Sequence, residues 1–382
     1  MSLALQELRG YFERSLSADL ALLQALVNLE SCSDDKCGVD ALAAFLAREF
    51  RRCGAAAAVL EVESGGNALE ARWPGECPGP AVMVLGHLDT VWPAGTVARR
   101  PFRIENDKAF GPGIFDMKAG ILLCLLACRA FHEEVARPGR DVVFFFTPDE
   151  ETGTAHGLPL LEAAARSCDT VLCLEPPLPG GKAKTSRKGV GQFHVAVEGI
   201  AAHAGLDHER GANAIVELSR IVIQMQEMTD YGSGVTFSVG TVRGGIAVSV
   251  VPAYAEAAVD FRFVTPEQGR SLEERVRGLR PSDARCRLAV TGGIERPPLE
   301  RTREVAALFE KASSIAAAVG MPFGEGSSGG GSDGSFTAAM GKPTLDGLGV
   351  DGGGAHAEDE HIVIPDIPRR AAFLCGLLRS MR

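Results

Sequence analysis

Apolar positions along the chain fall into two textures, and the first is an alternation of short, wholly apolar runs with stretches of helical spacing. Ser17 to Leu29, with Ser17 as N-cap, and Val39 to Phe50, stopping near Gly54, read as amphipathic helices. Ala55 to Glu63 and Ala81 to Gly86 read as strands, the second apolar throughout. The spacing then predicts a helix from Met117 to about His132, a strand over Val142 to Thr147, a helix over Leu158 to Ala165 and a buried strand over Thr170 to Leu174. A run such as V-V-F-F-F-T, closed by Pro148, is the mark of a strand covered on both faces. Strands alternating with helices predict an α/β fold with a mostly parallel sheet and helices on both faces.

Near Arg187 the second texture begins. Gln192 to Val197 alternates as a half-exposed strand does, and Ala212 to Met228 is a long amphipathic helix. Val235 to Val242 and Ala255 to Phe263 are strands around Gly244-Gly245, Pro266 to Leu279 is helical, and Cys286 to Val290 is strand-like. That order is βαββαβ, a ferredoxin-like unit able to form its own small domain. After Pro297-Pro298 the first texture resumes, with a helix over Arg303 to Val319, a glycine-serine loop over Gly324 to Gly334, a strand over Pro343 to Val350 and a last helix over Ile367 to Met381. The expected division is a catalytic domain in two parts, 1–187 and 296–382, interrupted by an inserted domain, 188–295.

Composition narrows the function classes. The 382 residues are 46% hydrophobic and 23% charged, ordinary for a globular enzyme, and the net charge of -10 without a basic block argues against a nucleic-acid partner. No apolar run approaches the roughly 20 residues of a membrane span. Met1 to Phe12 lacks a basic region followed by an apolar core, so no signal peptide is expected. The ten cysteines are scattered without a C-x-x-C pair, which reads as buried free thiols of a cytoplasmic protein.

The candidate chemistry sits where strands end. His87, the pair Glu150-Glu151 and Glu175 each follow a buried strand, Asp116 precedes a helix, and His356 follows the last strand through a glycine run. Open α/β sheets gather their ligands beyond the strands' carboxyl ends, so these residues can converge. Imidazole plus carboxylate, without thiolate, suits zinc in a hydrolytic site. Adjacent glutamates point in different directions, so one can bind metal while its neighbour faces a bound water.

The motifs H-L-D-T-V at 87–91, G-P-G-I-F-D-M-K at 111–118, D-E-E-T-G at 149–153, L-E-P at 174–176, G-G-G-S-D at 329–333 and G-G-A-H at 353–356 follow one known pattern. In them the chain resembles, over essentially its whole length, the zinc-dependent family of glutamate carboxypeptidases, acetylornithine deacetylases and succinyl-diaminopimelate desuccinylases. The resemblance implies two zinc ions per chain, with cobalt or manganese as substitutes. By it, His87 and Glu175 would hold one ion, Glu151 and His356 the other, and Asp116 would bridge them. Glu150 would be the general base and Asp89 would orient His87. His203, in I-A-A-H-A-G, would reach the partner subunit's site in a homodimer and help stabilise the oxyanion. Arg262, in V-D-F-R-F, would grip the substrate carboxylate, joined by the loop around Ser332 and Asp333.

H-L-D-T-V-W-P-A-G-T, R-P-F-R and R-K-G-V-G look closest to the folate-hydrolysing, glutamate-releasing carboxypeptidases. The expected activity is therefore release of a C-terminal amino acid from a short peptide or N-acyl amino acid, the alternative being an N-deacylase of the acetylornithine or succinyl-diaminopimelate type. One departure stands out: Ser249 occupies the place of a family asparagine and offers a shorter group with a single donor. The glycine loop carries no G-K-[ST], so it is not read as a nucleotide site. A non-catalytic scaffold would lack Glu150 or a ligand, and every expected position is filled.

Overall fold

The computed structural model describes residues 4–382, which divide into two compact units: 187–300 with 329–331, and the rest of the chain. The larger unit opens with α1 (Leu5–Asn28) and α2 (Lys36–Arg52). Met1 to Leu3, the start of the segment read for a signal peptide, lie outside the described residues, and Leu5 to Phe12 are the first turns of α1. Helix α1 thus begins well before Ser17. Its buried stripe of Leu8, Phe12, Leu23 and Leu26 is interrupted by Asp19, which is also buried. Asp19 accepts from the Arg129 guanidinium at 2.6 Å and the Ser15 hydroxyl at 2.9 Å. A carboxylate buried against a distant arginine breaks the apolar period without breaking the helix.

Strands β1 (Ala56–Leu60), β2 (Ala68–Trp73) and β3 (Ala81–His87) come next, then α3 (Ala119–His132), β4 (Val142–Thr147), α4 (Leu158–Ala165) and β5 (Cys168–Cys173). Far along the chain, Thr344–Leu345, the paired part of the run expected over Pro343 to Val350, completes a six-stranded sheet as its edge next to β5. Counting from the other edge, the order is β1, β2, β4, β3, β5 and Thr344–Leu345. β4 and β5 both run parallel to β3, and β2 alone runs against its neighbours. β2 has no counterpart among the expected strands. A-L-E-A-R-W is rich in helix formers, and pairing with β4 overrides that preference.

β4 shows why its run is apolar throughout. Phe144 and Phe146 enter a core with Phe50, at ring-centroid distances of 5.2 and 6.0 Å, while Val143 and Phe145 enter a second core with Met83, Leu85 and Leu161. Each fully buried phenylalanine contributes about 1.5–3 kcal/mol of transfer free energy. With both faces dry, the strand's one polar outlet is its end.

The smaller unit is β6 (Gly189–Glu198), α5 (Ala214–Gln226), β7 (Thr236–Gly244), β8 (Tyr254–Phe263), α6 (Pro266–Arg277) and β9 (Arg287–Arg296). Its antiparallel sheet has the order β7-β8-β6-β9, the ferredoxin-like βαββαβ arrangement. β8 alternates strictly, burying Ala255, Ala257, Val259, Phe261 and Phe263 against the helices. Capping-box geometry at Thr265 and Gln268 starts α6. The chain then returns to the larger unit with α7 (Arg303–Ala318), α8 (Gly334–Ala339) and, after the edge strand, α9 (Asp366–Ser380), which packs on α1 and α3.

Among the described residues none of the ten cysteines is in a disulfide; six are buried as expected, whereas Cys32, Cys53 and Cys77 are partly exposed and Cys37 is exposed. No helix among the described residues is long and apolar enough to cross a membrane.

Candidate metal centre

Parallel register sets the site. His87 ends β3 directly opposite Thr147, the last residue of β4, and Leu85 lies opposite Cys173, the last residue of β5. The residues just beyond these ends, Glu150, Glu151 and Glu175, therefore emerge at the same sheet edge as His87. Glu150 and Glu151 lie in a single turn of 3-10 helix, closed by Gly153 at φ 103°. Asp149 stops that turn from unwinding. It is buried, and its carboxylate accepts from the amides of His156 at 2.7 Å and Gly157 at 3.1 Å. Asp116 sits in an irregular turn over Ile114–Lys118, followed by a cis peptide bond to Met117. His356 is reached through Gly354, both in the left-handed region.

Asp116 lies between two imidazoles. Its Oδ1 is 3.1 Å from His87 Nε2 and its Oδ2 is 3.5 Å from His356 Nε2. Glu175 Oε1 is 3.5 Å from His87 Nε2, and Glu151 is 3.2 Å from His356 Nε2. Ligand atoms of His87, Glu150 and Glu175, and likewise of His87, Asp116 and Glu151, fall within 4.8 Å of one another. The site thus brings together every residue expected to hold metal, and the expected base with them.

The electrostatics are those of a cation site held by protons. Burial works against an imidazolium at His87, but bonds to Asp116 and Asp89 outweigh it and hold the ring well above its usual range. The carboxylates of Asp116 and Glu151 raise His356 to about 10. Burial would raise Asp116, yet the two histidines hold it well below the carboxylate range. Four clustered carboxylates facing two imidazolium ions leave a formal charge of about −2, and two divalent ions with neutral imidazoles would bring it to about zero. Oxygen and imidazole donors without thiolate fit zinc. The residues present fit the group.

Asp89 does two things. His87 Nδ1 is 2.9 Å from its carbonyl oxygen and 3.3 Å from its carboxylate, so Nδ1 carries the proton and Nε2 faces the site. The same carboxylate accepts from the amides of Glu150 at 3.0 Å and Glu151 at 3.1 Å, and from the Ser33 hydroxyl at 2.6 Å. Ser332 is fully buried and its hydroxyl donates to Asp346 at 2.6 Å, so its side chain is engaged inside the protein. Asp333 is buried too, accepting from Thr147 and Thr154 on either side of the glutamate turn.

Glu360 has no counterpart in the sequence reading. It is buried beside the Asp116 turn, and the one signal for it was an acid standing between a histidine loop and an apolar strand.

Two expected site residues belong to the smaller unit. His203 is exposed, opposite Val250, and its Nδ1 accepts from the amides of Gly205 and Leu206, both at 3.1 Å. With Nδ1 taken up as an acceptor, Nε2 is the ring nitrogen left to donate. Arg262, on β8, is held by both oxygens of Asp260 at 2.9 and 2.6 Å.

The description "Peptidase family M20/M25/M40" matches residues 83–380. Carboxypeptidase G2 of a Pseudomonas species is 31% identical over 95% of this chain and 89% of its own length. Succinyl-diaminopimelate desuccinylase of Thioalkalivibrio sulfidiphilus is 28% identical, covering 96% of this chain and 99% of that one. Among solved structures, the aminopeptidase PepT of Bacillus cereus superposes with a TM-score of 0.80 at 20% identity, over 95% of this chain and 98% of its own, a likeness of fold.

Proposed function

This chain belongs to peptidase family M20/M25/M40, a family of amide- and peptide-bond hydrolases, and from that premise we propose that it is a dinuclear zinc enzyme releasing a C-terminal amino acid of the glutamate type. The observation that carries the reading is Asp116, whose two oxygens face two different imidazoles. That is the arrangement a carboxylate needs to bridge two ions. His87 and Glu175 would hold one ion, Glu151 and His356 the other. Bound zinc supplies a water acidified to near neutrality and a polarised carbonyl.

The remaining work falls to side chains. Glu150 takes the proton of the attacking water and returns it to the leaving nitrogen. Asp89 keeps the turn carrying Glu150 fixed through its two amide bonds, so the carboxylate does not have to be oriented during the reaction. In the homodimer that forms part of this proposal, His203 reaches the partner subunit's site and offers Nε2–H to the developing oxyanion there. Arg262 receives the substrate carboxylate, which shares or displaces Asp260, and backbone N–H groups near Ser332 assist. Ser249 stands exposed, its carbonyl accepting from Ala204, and is the proposed point of substrate discrimination.

A homodimer is part of the proposal. Its support is apolar surface on the smaller unit, with Ile223 57%, Ile246 90% and Val248 104% exposed, beside the unpaired edge of β7. A cytoplasmic location is also proposed, resting on ten cysteines of which none is in a disulfide among the described residues. The second reading, an N-acyl amino acid deacylase, is favoured by the end-to-end match to a desuccinylase. A hydrolysis screen with zinc, manganese or cobalt supplied separates the two. Turnover of N-acylglutamates with free glutamate as product supports the first; a hundredfold preference for N-acetylornithine or N-succinyl-diaminopimelate replaces it with the second.

A further inference from the structure

We propose that Glu360 is a positioning residue of the metal centre, locking the turn that carries Asp116 to the segment that carries His356. The inference rests on the metal-centre reading above and adds a residue that nothing in that reading uses.

Both ligands lie on irregular backbone. Asp116 follows Gly113, at φ 69°, and His356 itself has φ 61°. Neither ligand is placed by a helix or strand of its own, so something else must fix them to within the few tenths of an ångström that coordination demands. Antiparallel pairing of His361–Val363 with Lys108–Phe110 brings the two segments side by side, with His361 opposite Phe110. Glu360 stands at the end of that pairing, where the ladder stops and the ligand loops begin.

Its carboxylate is 1% exposed and takes four donors. Oε1 accepts from the amides of Phe115 at 2.9 Å and Asp116 at 3.1 Å. Oε2 accepts from the amide of Gly113 at 2.8 Å and the indole N–H of Trp92 at 2.7 Å. One of these donors is the bridging residue's own amide. Its backbone is therefore pinned one atom from the Cα that aims its carboxylate. At the other end, Glu360 closes the loop 354–360, its amide donating to the carbonyl of Ala357 at 3.2 Å. A single side chain thereby refers Asp116 and His356 to one frame.

The chemistry of the group makes the claim sharp. Only a carboxylate offers acceptors on both oxygens, and here each oxygen meets two donors. Glutamine has the same shape, but whichever way its amide turns, its NH2 faces two N–H donors. An isosteric change thus breaks half of the clasp, and a buried charge without such donors would be costly.

The test uses the full chain, stripped of metal with a chelator, and Glu360→Gln beside wild type. Zinc titration against a competing chromophoric chelator should show affinity reduced roughly 10–100-fold in the variant. At saturating zinc kcat should also fall while KM changes little, because Asp116 is misplaced and the substrate groups are not. Glu360→Asp keeps the charge on a shorter stem and should lose less. A merely structural role would lower the melting temperature and leave zinc affinity of the folded protein unchanged, and that result overturns the proposal. If Glu360→Gln does not fold, Glu360→Asp carries the same comparison, and wild-type zinc affinity in it is equally fatal. The metal-centre reading fails separately: its mark is a wild-type protein that takes up no zinc, or a His87→Ala variant that binds zinc as tightly as wild type.

Discussion

At the scale of single residues, the acidic turn after β4 shows neighbouring carboxylates divided by their surroundings. Asp149 accepts from the amides of His156 and Gly157 beyond the turn, Glu151 faces His356, and Glu150 lies with His87 and Glu175. Glu150→Gln should retain the metal content of wild type and lose kcat by about 10²–10⁴-fold, the usual weight of a general base. Metal analysis together with initial rates reads both, and full activity would remove Glu150 from that role. The histidines make a second prediction. Because His356 is raised to about 10 and His87 is raised as well, their charged forms favour the folded, metal-free state. That contribution is fully present below the ordinary histidine value of about 6.5 and is lost as pH rises through about 10. Chelator-stripped protein should therefore melt at a lower temperature at pH 10 than at pH 7. Adding zinc at pH 7 should release protons, seen calorimetrically as a heat that depends on the buffer's ionisation enthalpy. The motifs made the ligands legible because each is a short, local string. Glu360 was not legible, because its four donors come from two distant stretches, Trp92 and 113–116, and no spacing announces it.

At the scale of elements, apolar periodicity located β3, β4, α4 and α6 closely and missed where tertiary partners decide. Helix α1 starts at Leu5 and not at Ser17, and it carries Asp19 inside its buried stripe, an interruption that Arg129 on α3 makes tolerable. Arg129→Ala should destabilise the chain by about 3 kcal/mol, the low end for a broken buried pair because Arg129 is partly exposed. Urea denaturation measures this, and an unchanged midpoint would show that Ser15 alone satisfies Asp19. The specific activity of the folded variant should stay that of wild type, since neither residue touches the site. β2 was missed because its residues favour a helix, and only the open edge of β4 recruits them as a strand.

At the scale of the whole molecule, the ligand set lies entirely in the larger unit while His203 and Arg262 lie in the smaller one. Metal should accordingly stabilise one unit more than the other. Calorimetry with and without chelator should show a high-temperature component that shifts with zinc and a component that does not; a uniform shift of all the heat would indicate that the units unfold together. The sequence alone determined the class of fold, the βαββαβ insertion and the set of candidate ligands, because apolar period, glycine turns and short motifs are properties of neighbouring residues. Tertiary structure alone decided what surrounds and holds these groups. Ser332 faces inward to Asp346, Asp89 serves His87 and the glutamate turn at once, and Glu360 ties two ligand loops together. Each of those roles depends on which donors surround an oxygen in three dimensions, and donors brought together from distant parts of a chain leave no periodic trace along it.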